Sequence, residues 1–302
     1  MTSPVSPRAF SDSSIKSDMK SKDESSRENG STVSLDDGKK LAAFTCVDKY
    51  VKSGYSIGTG TGSTAKYAIQ RLAEKYRSGE LKDIVCVPTS FQARHLIIEH
   101  GLPFGDLEKY PELDICIDGA DEVDADLNCI KGGGACLTQE KIVMSCAKYF
   151  YLIADSRKMS TRLGDVWDSI PLEVIPMAYV PIKRRIEYAE GGHAQLRMAT
   201  RKAGPVITDN GNFILDWKFP KSLADGRPRS TKDWIDLNSR LKMIPGMVET
   251  GLFLACAQSA FFGLPDGKVT EKKSNEDRRN TPSIKRALSP DPKSANNVRN
   301  GV

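Results

Sequence analysis

Residues 57–64 read IGTGTGST. An apolar-ended stretch at 50–56 comes before them and a helical pattern over 65–77 comes after. The order is strand, glycine turn, helix, which is the start of an α/β unit. In that setting main-chain N–H groups and the helix dipole gather at the end of a strand and hold phosphate, with the Ser63 and Thr64 hydroxyls as further donors. The glycines at 58, 60 and 62 run G-x-G-x-G and miss the dinucleotide spacing. No acidic residue ends a second strand about 20 residues on, and the Gly-Lys-Ser/Thr ending of a nucleotide loop is absent. A small phosphomonoester on Thr61, Gly62, Ser63 and Thr64 therefore fits better than a dinucleotide; the competing reading is a turn with only a structural role.

Outward from this loop, the pattern predicts a helix over 39–51, a strand over 84–87 and a helix over 91–100. Such βα alternation predicts a Rossmann-like, mostly parallel sheet with helices on both faces. Residues 113–124, LDICIDGADEVD, continue it: Ile115 and Ile117 alternate into a strand ending at Asp118. Ligands of open α/β sheets sit beyond the carboxyl ends of the strands, so Asp118 and Asp121 are expected in the same crevice as the first loop. Two bland readings compete, a solvated acidic turn or a helix start capped by Asp118. Paired carboxylates also suit magnesium, although the nearby Lys131 would compete with a metal.

Residues 131–141 read KGGGACLTQEK. Three successive glycines leave the backbone bare, so Gly132, Gly133 and Gly134 are placed to cup an oxyanion or hydroxyls beside the Lys131 ammonium. A helix beginning near Thr138 and Gln139, with Ile142, Val143, Cys146 and Ala147 at amphipathic spacing, would hold Glu140 near its N-terminus facing that loop. The alternative is a flexible loop before an ordinary helix.

GTGTGST, DGADEVD and KGGGACLTQEK, in this order and spacing, resemble the type A ribose-5-phosphate isomerase family, and the resemblance runs from about residue 40 to 267. IADSRK at 153–158, PLEVIPM at 171–177, VITDNGNFILD at 206–216 and PDG at 265–267 extend it. It implies interconversion of ribose 5-phosphate and ribulose 5-phosphate in the pentose phosphate pathway, with no metal and no organic cofactor, by a homodimer or homotetramer. It also implies that Glu140 transfers the proton, that the segment from Asp118 through Gly119 and Ala120 to Asp121 binds substrate, and that Lys158 and Lys40 are family lysines. Lys39 stands beside Lys40. Cys136 and Gln139 depart mildly from the family pattern without removing a required group.

The chemistry agrees. An aldose-to-ketose conversion takes a proton from C2, passes through an enediolate and returns a proton at C1, so it needs a base and oxyanion donors. Glu140 is the expected base and Lys131 with the glycine amides the expected stabiliser. Asp118 is expected to move protons during ring opening and Asp121 to orient hydroxyls. The three histidines, His95, His100 and His193, lie outside every motif and read as surface or structural residues.

After Trp167 the pattern changes. Strands are predicted over 172–177, 195–200, 213–217 and 248–254, with helices over 181–189 and around Trp234, Leu237 and Leu241. The order βαββαβ predicts an inserted ferredoxin-like α+β domain. The expected division is a Ser-rich disordered arm over 1–38, the Rossmann-like catalytic domain over 39–170 and 255–267, the ferredoxin-like domain over 171–254, and a disordered basic tail over 268–302. In the resembled family the inserted domain helps to cover the site and contributes to subunit contacts.

Of the 302 residues, 39% are hydrophobic and 27% charged, as in a globular protein. The arm holds 11 serines, and its scattered acids oppose an organellar transit peptide. The tail carries nine Lys or Arg against four Asp or Glu, which accounts for the whole net charge of +5 and argues against a specific nucleic-acid-binding core. Ser-Pro or Thr-Pro pairs begin at Ser3, Ser6, Thr281 and Ser289. The seven cysteines form no C-x-x-C pair and read as reduced thiols of a cytoplasmic protein, with Cys136 beside the site as a candidate for oxidation. No apolar run of about 20 residues suggests a membrane span. Two readings compete with the isomerase: a sugar-phosphate-sensing module of the same fold, which needs no base, and a related acyl-CoA transferase or aminosugar-phosphate deaminase.

Overall fold

A computed structural model describes residues 34–275. The arm up to residue 33 and the tail from 276, with their Ser-Pro and Thr-Pro pairs, lie outside the described residues.

The chain begins with α1 (Leu35–Tyr50), whose N-cap Ser34 accepts from the Asp37 amide at 3.1 Å and whose first turn carries Asp36 and Asp37. Then follow β1 (Ser56–Thr59), α2 (Ala65–Arg77), β2 (Val85–Pro88), α3 (Phe91–Glu99), β3 (Leu113–Asp118), β4 (Glu122–Val123) and β5 (Cys129–Ile130). Next come α4 (Leu137–Cys146), β6 (Ala147–Asp155), β7 (Ile170–Val174), α5 (Tyr179–Glu190), β8 (His193–Leu196) and β9 (Phe213–Lys218). The chain continues through α6 (Thr231–Lys242), β10 (Met247–Thr250), β11 (Leu252–Phe253), β12 (Ser259–Gly263) and β13 (Val269–Lys273).

The main sheet has the order β13-β12-β6-β3-β1-β2, parallel throughout except for β13. Strand alternation explains its two covered faces. Ile115 and Ile117 pack with α1, α2 and α3, whereas Cys116 between them faces Val143 and Met144 of α4. Each fully buried aliphatic side chain contributes roughly 1.5–3 kcal/mol. From β1 the chain builds outward to β2, and from β3 it builds the opposite way, so strand order reverses between β1 and β3. That switch point is where two neighbouring loops part and leave a crevice, and both phosphate-loop and acidic motifs follow these two strands.

Residues 170–250 form a second, antiparallel sheet of order β10-β7-β9-β8, the ferredoxin-like arrangement expected from the βαββαβ pattern. Three elements differ from expectation, the first being α1, which begins at Leu35 and so takes the end of the arm expected over 1–38 into the fold. The single strand predicted over 248–254 breaks at Gly251 into β10, which pairs with β7, and β11, which pairs with β5 in a small sheet of order β11-β5-β4. A Cβ on Gly251 would stand 2.3 Å from the Lys131 carbonyl oxygen, so the crossing between sheets requires glycine. Residues 269–273, expected within a tail beginning at 268, form β13, which adds to the sheet edge. Glu271 anchors it by accepting from the Tyr50 hydroxyl at 2.6 Å and the Ser259 hydroxyl at 3.1 Å and by pairing with Lys49. The charges of this strand, which read as tail, suit an edge that must not recruit another strand.

Candidate active site

The loop after β1 is shaped by what lies under it. A Cβ on Gly60 would fall 2.2 Å from Asp118 Oδ1 and 2.5 Å from the Asp118 Cα, so glycine lets the two strand ends touch. Asp118 Oδ1 then accepts from the amides of Thr61 at 2.9 Å and Gly119 at 2.7 Å. The Thr61 hydroxyl donates to Ser90 Oγ at 2.7 Å, and the Gly62 amide donates to Gln92 Oε1 at 2.9 Å. Of the loop's amides, Ser63 and Thr64 are left without a partner among the described residues. Replacing Gly60 by alanine is expected to push the loop off Asp118, raising KM for a phosphorylated substrate by about tenfold and lowering stability by about 1–3 kcal/mol. Steady-state kinetics with a thermal melt checks both.

The second wall comes from residues 131–140. Lys131 follows β5, and its amide donates to Gly251 O at 2.9 Å. Its ammonium donates to Gly119 O at 2.6 Å and to Glu140 Oε1 at 3.0 Å, and lies 3.1 Å from Asp118 Oδ2. All three charged side chains are buried. Burial opposes the Lys131 charge, but Asp118 and Glu140 outweigh it and raise its pKa, so the ammonium stays protonated. Burial pushes the Glu140 pKa up; Lys131 opposes this and the Asp118 charge adds to it. Glu140 Oε2 has no hydrogen bond among the described residues. The site thus holds a carboxylate with raised proton affinity, one free oxygen and a fixed cation at its other oxygen.

Asp121 ties the glycine loop down by accepting from the Gly133 amide at 2.7 Å. A Cβ at Gly133 would lie 2.7 Å from Asp121 Oδ1, and Gly132 has φ +107°. Gly133 is therefore committed to Asp121, and only the Gly132 and Gly134 amides keep their N–H groups unpartnered among the described residues. The carbonyls of Gly132 and Gly133 accept from Arg197 Nη1 at 2.8 and 3.1 Å, and Asp216 holds that guanidinium in turn. Arg197, a single arginine just past β8, carries no spacing signal in the sequence.

A cavity of about 230 Å³ opens between the walls. Thr61, Gly62, Ser63, Thr64, Gly119, Ala120, Asp121, Lys131, Gly132, Gly133, Gly134, Glu140 and Lys158 all line it, as do Asp155 and Arg157 of the IADSRK stretch, for which the sequence suggests no individual role. Lys158 is steadied over the Trp167 ring at 5.0 Å. Two expected residues are placed differently. The lysine of α1 that lines the cavity is Lys39, while the Lys40 ammonium sits over the Phe44 ring at 5.2 Å. Lys39 lies three and four residues before the buried Ala42 and Ala43, which is the phase that could have identified it. Asp118 does not line the cavity; it stands behind Lys131 and the Thr61 amide, reaching the space only through them. Among the described residues no group of three or more His, Cys, Asp or Glu side chains converges as a metal site. None of the three histidines reaches the cavity. The Cys136 thiol is pushed up to about 12 by burial and by Glu140, Asp209 and Asp118, against the smaller opposing effect of Lys131, which makes it a poor thiolate at neutral pH.

Cations and free amides lining a small polar cavity suit a phosphate, and a buried acid paired with a lysine in the same lining suits proton transfer next to an oxyanion. The sequence model of the family Ribose 5-phosphate isomerase A (phosphoriboisomerase A) matches residues 85–267. A probable ribose 5-phosphate isomerase of Caenorhabditis elegans is 53% identical over 237 residues, covering 78% of this chain and 92% of its own length. The ribose-5-phosphate isomerase of Homo sapiens is 53% identical over 241 residues, 79% of this chain and 74% of its own. A solved D-ribose-5-phosphate isomerase in complex with phospho-erythronic acid superposes with a TM-score of 0.74 at 41% identity, over 80% of this chain and all of that one. Site geometry, sequence and fold agree, and the chain belongs to the ribose 5-phosphate isomerase A family.

Proposed function

We infer that the protein interconverts ribose 5-phosphate and ribulose 5-phosphate, as an aldose-ketose isomerase of the pentose phosphate pathway. The observation that carries the chemistry is the buried Glu140–Lys131–Asp118 group, in which Glu140 keeps one oxygen free. In this reading the substrate phosphate lies at Ser63 and Thr64 with Lys39, Lys158 and Arg157 around it, which sets C1 and C2 at the opposite wall. Glu140 takes the proton from C2 and returns it at C1. Lys131, with the Gly132 and Gly134 amides, stabilises the negative oxygen of the enediolate. Asp121 orients sugar hydroxyls. Asp118 has a positioning role here, fixing Lys131 and the phosphate loop, in place of the ring-opening role expected from sequence. Four family features fit this reading: a sugar phosphate as the only partner molecule, a homodimeric or homotetrameric assembly, a cytoplasmic location and no required cofactor. All seven cysteines are free thiols, in keeping with a reducing compartment, and among the described residues no helix is long and apolar enough to cross a membrane.

The test is turnover of ribose 5-phosphate to ribulose 5-phosphate by the purified protein in excess chelator. Turnover is expected; a folded protein that binds the sugar phosphate without converting it would favour the sensing module. The pH dependence follows from the raised proton affinity of Glu140. The base works only when deprotonated, so kcat/KM is expected to fall as pH drops through a value well above the usual glutamate figure of about 4.3. An acid limb centred near that usual figure would count against Glu140 as the base.

A further inference from the structure

Residues 208–212, sequence TDNGN, form a turn between β8 and β9, closed by the Thr208 amide on Asn212 O at 2.9 Å and the Gly211 amide on Thr208 O at 2.9 Å. In the structure it is unusually well held for an exposed tip. Glu173 of β7 is completely buried, and its Oε1 accepts from Thr208 Oγ1, Asn210 Nδ2 and Asn212 Nδ2, each at 2.9 Å. Thr208 Oγ1 accepts in turn from the amides of Asn210 at 3.2 Å and Asn212 at 3.1 Å, and Gly211 takes φ +77° to close the turn. Three donors on one buried carboxylate oxygen give a tip with little freedom.

From this tip two side chains reach in different directions. Asp209 Oδ2 accepts from the Phe91 amide at 2.8 Å, an otherwise unpaired N–H at the start of α3. The residues on either side of Phe91 hold the phosphate loop, since Ser90 Oγ accepts from the Thr61 hydroxyl and Gln92 Oε1 from the Gly62 amide. Asn210 Oδ1 accepts from Gln139 Nε2 at 2.8 Å, and Gln139 immediately precedes Glu140 on α4. One turn of the inserted domain therefore grips both walls of the cavity, one bond from the phosphate loop and one residue from the base. Neither Asp209 nor Gln139 lines the cavity.

We propose that the 208–212 turn, organised by Glu173, is a positioning clamp that sets the distance between the phosphate-binding loop and the Glu140 helix. A sugar phosphate is anchored at one end and reacts at the other, so this distance decides whether C2 meets Glu140. The proposal rests on the isomerase reading of the site. An ångström of misplacement costs up to about a hundredfold in rate, so loss of one of two grips is expected to cost about tenfold.

The experiment compares Asp209→Ala, Asp209→Asn, Gln139→Ala, Asn210→Ala and the Gln139→Ala/Asn210→Ala double variant with ribose 5-phosphate as substrate. Asp209→Ala is expected to raise KM, and Asp209→Asn, whose amide oxygen still accepts from Phe91, to restore it. Gln139→Ala is expected to lower kcat about tenfold at nearly unchanged KM, and the double variant to be no worse than Asn210→Ala, because both remove the same bond. These side chains lie at the surface or its edge, and a thermal melt of each variant separates lost folding from lost positioning. Wild-type kinetics in all the variants, additive losses in the double variant, or an Asp209→Asn enzyme as impaired as Asp209→Ala would each overturn the clamp. An inactive wild type would overturn the isomerase reading itself, which an active wild type with indifferent variants would leave standing.

Discussion

Glu140→Gln is expected to lower kcat by about a thousandfold or more while leaving KM within a few-fold of the wild type, in line with the 10²–10⁴ supplied by a positioned base. Glutamine keeps the volume and can turn its amide oxygen toward the Lys131 ammonium, which lies 3.0 Å from the carboxylate it replaces. It cannot accept the C2 proton. Single-turnover and steady-state rates measure the loss, and a variant retaining a tenth of the wild-type kcat would remove Glu140 from the base role. Stability should move the other way. A carboxylate whose pKa is raised on folding binds more protons in the native state than in the unfolded chain, so wild-type stability falls as pH rises from about 4.3 toward the raised value. Glutamine deletes that titration, and the melting temperature of the variant relative to wild type is expected to increase across the same window.

Lys131→Met is expected to be the most disruptive single change at the site. It leaves Asp118 and Glu140 buried beside one another with their shared cation gone. Removing one member of a buried charge group costs about 3–5 kcal/mol, because the remaining charges are uncompensated. Methionine also supplies no donor to the developing oxyanion, a loss of about 10²–10³ in kcat where comparable donors have been removed. One of the two carboxylates must take up a proton in the variant, so its stability is expected to decline more steeply than that of the wild type as pH rises. Denaturant unfolding at several pH values measures the first effect and turnover at saturating substrate the second. An equally stable, fully active Lys131→Met enzyme would dismantle the proposed electrostatics.

The positions that chemistry forces to be unusual were legible in the sequence. IGTGTGST, the strand ending at Asp118 and the glycine triplet break ordinary local rules, and they stand at the strand ends around the β1/β3 switch point. The βαββαβ order was also readable, because helix and strand periods differ within each segment. Choices depending on which chain segment lies opposite were not readable. Gly251 looks like one residue in a continuous strand until Lys131 is found against it. Lys39 and Lys40 differ by one helical step of 100°, which a motif aligned by residue type does not resolve. Arg197 and Asp209 act on the Gly132 carbonyl and the Phe91 amide, partners far from them in the chain that no local pattern announces. In β13 the charged residues concealed a strand, since at a sheet edge charge is a protective choice rather than a sign of tail.

The crossing at Gly251 also bears on the order in which this enzyme is made. Asp118, Lys131 and Glu140 leave the ribosome early, but the backbone that receives the Lys131 amide and the strand that pairs with β5 are translated only after the whole inserted domain. A nascent chain carrying these three side chains is therefore still without the backbone and strand that complete their surroundings. Closure of such distant pairs is a late and comparatively slow event in folding. A chain stopped short of residue 251 would hold the Asp118, Lys131 and Glu140 side chains without the backbone that receives the Lys131 amide and the strand that pairs with β5.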